Sequence, residues 1–260
     1  KIDKSSTHPI GTNFNWSPCG GYIAYSCSFN SRLYGIKIFD LKNKKKFKIS
    51  NPILQDYNPV FDPKGKYLAF ISARVFNPVY DNLHFDLGFP RGEKPYLICL
   101  NKNDDSPFYK SQPKPIKDIK DVEDENKKKE NKEKISVKID FKGIEDRIIA
   151  VPTEEGLFGN ISFVNNKLFY SSHNDEGSHG DIPWYDFSSS DKSTILSYNL
   201  ETKKEEVFMS GISSFTAYPQ LDSIMVKSKG IIRVLNATSP PTKEILSNAD
   251  YNQNSGKIDL

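Results

Sequence analysis

The sequence predicts an all-β chain, a β-propeller segment of about four four-stranded antiparallel blades. Three observations predict it. One phrase is written twice, as Asn15-Trp16-Ser17-Pro18-Cys19-Gly20-Gly21-Tyr22-Ile23-Ala24-Tyr25 and as Val60-Phe61-Asp62-Pro63-Lys64-Gly65-Lys66-Tyr67-Leu68-Ala69-Phe70, at a constant offset of 45 residues. Self-similarity at that period marks propellers and other repeat arrays. A second form, strand then polar turn then apolar residue, recurs at Asp40 to Phe47 and at Asn199 to Phe208. Finally, 13 Tyr, 17 Phe and 2 Trp in 260 residues favour strands.

The repeated phrase has a simple physical reading. An aromatic ends one strand. Pro pre-sets φ for a tight turn, and Gly accepts the positive φ that closes it. The next strand reads Tyr-x-Ala-aromatic, and the small Ala lets neighbouring sheets approach. Such a hairpin cannot cover its own apolar face, so it must stack on a neighbour.

Taken in order, residues 1–13 read as the end of a preceding connection. The first repeat spans about 12–50, with strands near 12–16, 21–28, 33–40 and 46–49. The second spans about 57–110, with strands near 58–62, 66–73 and 95–101, and room for one more after the low-complexity segment. An insertion at 74–94 carries Phe76, Tyr80, Phe85 and Phe89, with Tyr96 just beyond it. That composition is not one of disorder, so the insertion is expected to pack back on the domain as a satellite core. Residues 111–134 are a charged low-complexity insertion. Its 117–134 stretch holds seven Lys and seven acidic residues, too little apolar surface to offset ordering entropy. The third repeat spans about 135–209, with strands near 137–141, 146–151, 161–164, 167–172 and 194–200. The fourth spans 212–246 and echoes the opening phrase in degraded form. Residues 247–260 read as the start of a C-terminal linker, with 256–260 opening another element. A closed propeller usually needs more than four blades, so the segment is expected to belong to a longer propeller or to pair its open ends.

A formal net charge of +3 with interspersed acids does not argue for nucleic acid or an anionic membrane. Cys19, Cys27 and Cys99 include no CxxC pair, which fits a reduced, cytoplasmic setting and argues against zinc. No run approaches the length of a membrane span. The chain starts Lys1-Ile2-Asp3 and reads as cut from something longer.

Chemistry-bearing candidates are sparse. A nucleophilic triad needs Ser or Cys beside a base. The available bases are His8, His84, His173 and His179, and none follows a Gly-x-Ser-x-Gly elbow. Ser210-Gly211-Ile212-Ser213 reads as a turn. His173, Asp175, Glu176, His179 and Asp181 have a spacing that a metal tolerates, but a polar loop accounts for them better. His84 between Asp81 and Asp86 reads as loop packing or an ion pair. No catalytic, cofactor or metal residue is therefore assigned, and no cofactor is expected. The cluster Phe76, Tyr80, Phe85, Phe89 and Tyr96 is either the satellite core already described, which is preferred, or a peptide or inter-domain contact patch.

The Trp16 to Tyr25 phrase is similar to one found in TolB-type and tricorn-type propellers. The run Ser72-Ala73-Arg74-Val75-Phe76-Asn77-Pro78-Val79-Tyr80-Asp81 resembles the tricorn protease family more specifically. So do Phe85 to Pro90, Pro95-Tyr96-Leu97, Ser106-Pro107-Phe108, Ile139 to Arg147, and Val151-Pro152 to Gly159, all in the same order. The resemblance runs from about residue 12 to the C-terminus. It implies the C-terminal part of a seven-bladed propeller in a serine protease whose PDZ-like and catalytic regions lie elsewhere. It further implies oligopeptide substrates or the protease core of the same chain as partners, a homo-oligomer, and a role in substrate access and assembly. The alternative is a stand-alone WD40/TolB-like scaffold that binds a protein partner. Departures are the mixed-charge insertion, Cys19 in place of Asp, and the polar insertion at 173–190.

Overall fold

Both copies of the repeated phrase fold into the same turn. In the first, the Ser17 N–H donates to Tyr22 O (2.9 Å) and Gly20 N–H to Ser17 O (2.8 Å). In the second, Asp62 donates to Tyr67 O (2.9 Å) and Gly65 to Asp62 O (2.8 Å). Gly20 and Gly65 both sit at φ +70°, the left-handed region that a Cβ disfavours. The computed structural model describes residues 2–3, 13–29, 33–52, 55–82, 85–88, 91–104, 106–108, 135–174, 191–247 and 257–259.

Four antiparallel four-stranded sheets follow in chain order. The first is β1 (Phe14–Trp16), β2 (Tyr22–Ser28), β3 (Tyr34–Asp40) and β4 (Lys45–Lys48). The second starts with β5 (Gln55–Phe61) and β6 (Tyr67–Ala73). Next comes a separate hairpin, β7 (Val79–Asp81) with β8 (Asp86–Gly88), before the sheet resumes with β9 (Glu93–Cys99) and β10 (Ile148–Ala150). A single parallel bridge, Tyr34 to Gln55, joins these two sheets. The third is β11 (Leu157–Val164), β12 (Lys167–His173), β13 (Ser193–Asn199) and β14 (Lys204–Ile212). The fourth is β15 (Ser214–Tyr218), β16 (Ser223–Ser228), β17 (Ile231–Asn236) and β18 (Lys257–Asp259). A short helix, α1 (Lys243–Ser247), precedes β18.

The period-2 alternation of each strand serves two neighbours at once. In β6, Leu68 and Phe70 join the cluster shared with Ile36, Ile38 and Ile49 of the first sheet. Ala69 and Ile71, pointing the other way, meet Phe158, Ile161 and Phe163 of the third. In β12, Leu168 and Tyr170 face the second sheet while Phe169 packs with Phe215, Ile224 and Val226 of the fourth. The inner sheets are thus buried on both faces, which is why their strands read as nearly unbroken apolar runs. Each fully buried Phe, Leu or Ile contributes about 1.5–3 kcal/mol. This is radial stacking of four-stranded blades, and the predicted all-β propeller segment is the fold observed.

Two strand-level expectations change. Residues 146–151 were read as a strand within the third repeat, but Ile148–Ala150 pairs antiparallel with β9. It is the strand that completes the second blade after the charged insertion. Residues 137–141 alternate like a strand yet pair with none; one backbone bond, Asp140 N–H to Leu100 O (2.9 Å), ties them down. Lys257–Asp259, where the sequence opens another element at 256–260, pairs with Ile231, Ile232 and Arg233 of β17 as the fourth strand of that blade. Alternation identifies a strand-like segment, but the partner is chosen by contacts distant in sequence.

Candidate functional site

The first strand of every blade, β1, β5, β11 or β15, is its innermost, and together they line a cleft of ≈ 390 Å³. Its polar lining is Asn13, Asn15, Asn58, Asn160, Ser162 and Thr216, and its apolar lining includes Phe14, Pro59, Val60 and Phe215. No lining residue is ionisable.

Asparagine amides link blade to blade across this cleft. Asn15 Oδ1 accepts from the Phe61 N–H (3.0 Å), joining the first blade to the second. Asn13 Nδ2 donates to Asn58 Oδ1 at the same junction. Asn58 Nδ2 in turn donates to Gly159 O (2.8 Å) on the third blade. Asn160 Nδ2 donates to Phe215 O (3.1 Å) on the fourth. Bulges in β5 between Tyr57 and Val60, and in β11 between Phe158 and Ile161, turn these residues toward their neighbours. Asn58 itself sits at φ +52°, a conformation Asn tolerates better than most residues.

Beside the cleft, at the blade end that carries the 74–92 insertion, lies a set of buried polar contacts. Asp56, fully buried, accepts two bonds from Arg74 (2.8 and 2.9 Å) and one from Ser72 Oγ. The Arg74 guanidinium lies over the rings of Tyr96 and Phe70, 5.0 and 5.8 Å from their centroids. Glu93 accepts from Tyr57 Oη (2.8 Å) and from the Phe158 N–H (2.9 Å), joining the second and third blades. Burial, with the adjacent Glu93 carboxylate, pushes the Tyr57 hydroxyl well above the usual phenol range.

His173, at the end of β12, is the one candidate base among the described residues. Its Nδ1 lies 2.9 Å from Ser193 Oγ and its Nε2 3.5 Å from Ser171 Oγ. Burial lowers its pKa from the ordinary histidine value, against the nearby charge of Glu93. A serine beside a neutral imidazole is the start of a nucleophilic pair. Ser193, however, is only 6% exposed, so a substrate cannot reach it. The pair ties β12 to β13. Gly159 runs directly above it: a Cβ there would come 2.6 Å from His173 Nε2 and 2.7 Å from Ser171 Oγ.

His8, His84, His179, Asp175, Glu176, Asp181 and Phe89 lie outside the described residues, and no group of three or more potential metal ligands forms among those described. Ser210 and Ile212 belong to β14, with Gly211 at φ +75° near its end, so the expected turn there is an irregular strand terminus. The aromatic cluster divides. Tyr96 packs on the core, 5.9 Å from Phe70. Phe76, Tyr80 and Phe85 are 80%, 53% and 77% exposed and do not form the expected satellite core. Among the described residues, β7 and β8 pair only with each other. The asparagine links were missed in the sequence, although Asn13 and Asn58 lie one 45-residue period apart.

The family model described as Tricorn protease second beta propeller domain matches residues 1–238. The chain is 29% identical over 241 residues to a protein of Sulfurisphaera tokodaii named Putative Tricorn-like protease C-terminal subunit; the match covers 92% of this chain and 25% of that one. It is 30% identical over 244 residues to a Tricorn protease homolog of Saccharolobus solfataricus, covering 92% of this chain and 20% of that one. The chain therefore spans a quarter or less of these relatives' length. It is also similar to a crystal structure of the tricorn protease, with a TM-score of 0.70 and 19% identity, over 99% of this chain and 24% of the other, a likeness in fold.

Proposed function

Because the chain belongs to the tricorn protease second β-propeller family, which its residues 1–238 match, we propose that it is the non-catalytic propeller portion of a tricorn-like serine protease. In this reading it guides oligopeptides toward a catalytic core that lies outside these residues. The parent enzyme uses an activated serine and works in the cytoplasm as a homo-oligomer.

The uncharged lining of the inner-strand cleft is the observation that carries the reading. A passage for peptides of varied sequence must not trap either sign of charge, and a neutral wall has no ion pair to offer. Asn15 uses Oδ1 in the inter-blade links and keeps its Nδ2 donor; Asn160 uses Nδ2 and keeps its Oδ1 acceptor. One donor and one acceptor suit a peptide main chain, which every oligopeptide shares.

The test compares hydrolysis of fluorogenic oligopeptides by the 260-residue chain and by the full-length gene product, with and without a serine-directed inhibitor. An inactive short chain beside an inhibitable full-length enzyme supports the reading. Thr216→Trp in the full-length protein should then fill the cleft and slow long peptides more than a small activated ester. Activity in the short chain overturns the non-catalytic assignment. Inactivity of both favours the stand-alone scaffold.

A further inference from the structure

Turns of three successive blades, at the end opposite the 74–92 insertion, enclose a second cavity of ≈ 280 Å³. Lys64 comes from the Pro63-Lys64-Gly65 turn of the second blade, Asn166 from the β11–β12 turn, and Glu201 from the β13–β14 turn. Val164 and Ala237, both buried, supply its apolar lining. The cavity shares no residue with the inner-strand cleft.

Two opposite charges are held near each other here without meeting. Lys64 Nζ donates to Asn166 Oδ1 (2.6 Å), and Asn166 Nδ2 donates to Glu201. One carboxamide therefore stands between the ammonium and the carboxylate. A two-residue turn between Val164 and Lys167, with Asn165 at φ +54°, presents that amide. Asn199 Oδ1 accepts from the Glu201 and Thr202 N–H groups (2.9 and 3.0 Å), which fixes the turn that carries Glu201. The other lysine of the lining is occupied: Lys167 Nζ donates to Glu206 and to Thr238 O, each at 2.8 Å. An ammonium has three donors and a carboxylate two acceptor oxygens. Lys64 thus keeps two donors, and Glu201 one oxygen, free of hydrogen bonds to the described residues.

We propose that this cavity binds a free α-amino acid with a small apolar side chain. Such a zwitterion carries its acceptor and its donor about as far apart as the oxygen and nitrogen of a carboxamide. It therefore repeats the pattern that Asn166 already satisfies. Its carboxylate takes the remaining donors of Lys64, its ammonium takes the remaining oxygen of Glu201, and its side chain lies toward Val164 and Ala237. A simple anion would be repelled by Glu201 and a simple amine by Lys64, so a ligand of both signs is favoured at both ends. The terminal charges of a peptide stand too far apart to match one carboxamide. The site is independent of the proposed peptide passage, because the two cavities have no lining residue in common.

The test is an NMR titration of the isotope-labelled 260-residue chain with L-valine, read at the side-chain amides of Asn166 and Asn199. Both should shift, with half-saturation at about 1 mM for a small ligand held by two charges near the surface. Valinamide, N-acetylvaline and valylvaline each misplace or lack one charge and should bind about tenfold more weakly or worse. Lys64→Met and Glu201→Gln should each weaken valine binding by about tenfold with unchanged thermal midpoints. Lys66→Met, a neighbouring exposed lysine outside the lining, should leave it unchanged. No shift at about 20 mM valine, an equal response to valinamide or N-acetylvaline, a preference for valylvaline, undiminished binding in either cavity variant, or an equal loss in Lys66→Met would each overturn the proposal.

Discussion

The two insertions of the second blade are both tied down through an arginine, yet they end on opposite sides of the water line. The aromatic one, between β6 and β9, is held at its base by Arg74, whose guanidinium pairs with buried Asp56. Beyond that anchor Phe76, Val79, Tyr80, Phe85 and Leu87 are exposed. The charged one, residues 111–134, lies outside the described residues, but the segment that follows it, 135–147, is drawn inside. Val137 and Ile144 are 7% and 0% exposed within the core shared by the first two blades. Phe141 stacks on Phe47 with ring centroids 3.6 Å apart. Arg147 donates to the carbonyls of Cys99 (2.8 Å), Leu100 (3.4 Å), Lys142 (3.3 Å), Gly143 (3.2 Å) and Asp140. Five backbone acceptors meet one planar cation, so the returning loop is closed by a single side chain. The lesson is that average composition does not decide burial. The described aromatics of one loop, Phe76, Tyr80 and Phe85, stay wet, whereas a few apolar residues that follow a polar insertion become core once the backbone is led past an open blade edge.

Arg74→Met is the harshest test of this contrast. It leaves the Asp56 carboxylate buried without its cation, and a broken buried pair costs about 3–5 kcal/mol. Urea unfolding of the 260-residue chain should show that loss, whereas Asp56→Asn with Arg74→Met together should recover part of it. Arg147→Met comes next. Carbonyls that shared one guanidinium lose it together, and a loss of about 2–3 kcal/mol is expected. Lysine at the same position should restore only a fraction, since an ammonium cannot span five acceptors.

A finer comparison uses the two glycines that the repeated phrase makes equivalent. Gly65→Ala would place a Cβ 2.5 Å from Val137 Cγ2, whereas Gly20→Ala meets nothing within 4 Å. Both carry the left-handed backbone penalty of about 1–2 kcal/mol. Only Gly65 also displaces the returning loop, so its variant should melt lower than the Gly20 variant. Equal midpoints would mean that Val137 is not packed as described. The smallest effect belongs to the aromatic arm: Phe76→Ser with Phe85→Ser should alter the stability of the isolated chain by no more than about 0.5 kcal/mol. A larger loss would restore the satellite core that exposure argues against.

Legibility in the sequence followed the distance over which each contact acts. The twin turns at Pro18-Cys19-Gly20 and Pro63-Lys64-Gly65 were readable because Pro and Gly act on adjacent dihedrals. The strand alternation of Leu68, Ala69, Phe70 and Ile71 was readable because its period is local. Part of the cleft was also within reach, since Asn13 and Asn58 repeat with the phrase. Asn160 was not, because the β11 bulge shifts the register on which its inward direction depends. The role of His173 was open in the sequence for a similar reason. Its spacing to neighbouring carboxylates was tolerable for a metal, although a polar loop was the preferred reading, and its contacts are two serine hydroxyls, one on its own strand and one on β13.

By itself, then, the sequence determined an all-β chain of repeated four-stranded units, because turn chemistry and period-2 alternation are written in windows of a few residues. The order of its motifs also pointed to its family. Only the tertiary structure decided that Ile148–Ala150 closes the second blade across a separation of some fifty residues, that Arg147 gathers carbonyls from both ends of that loop, and that asparagines join neighbouring blades. Many strand pairings satisfy the same alternation. The choice among them rests on which faces remain to be buried once the blades have stacked.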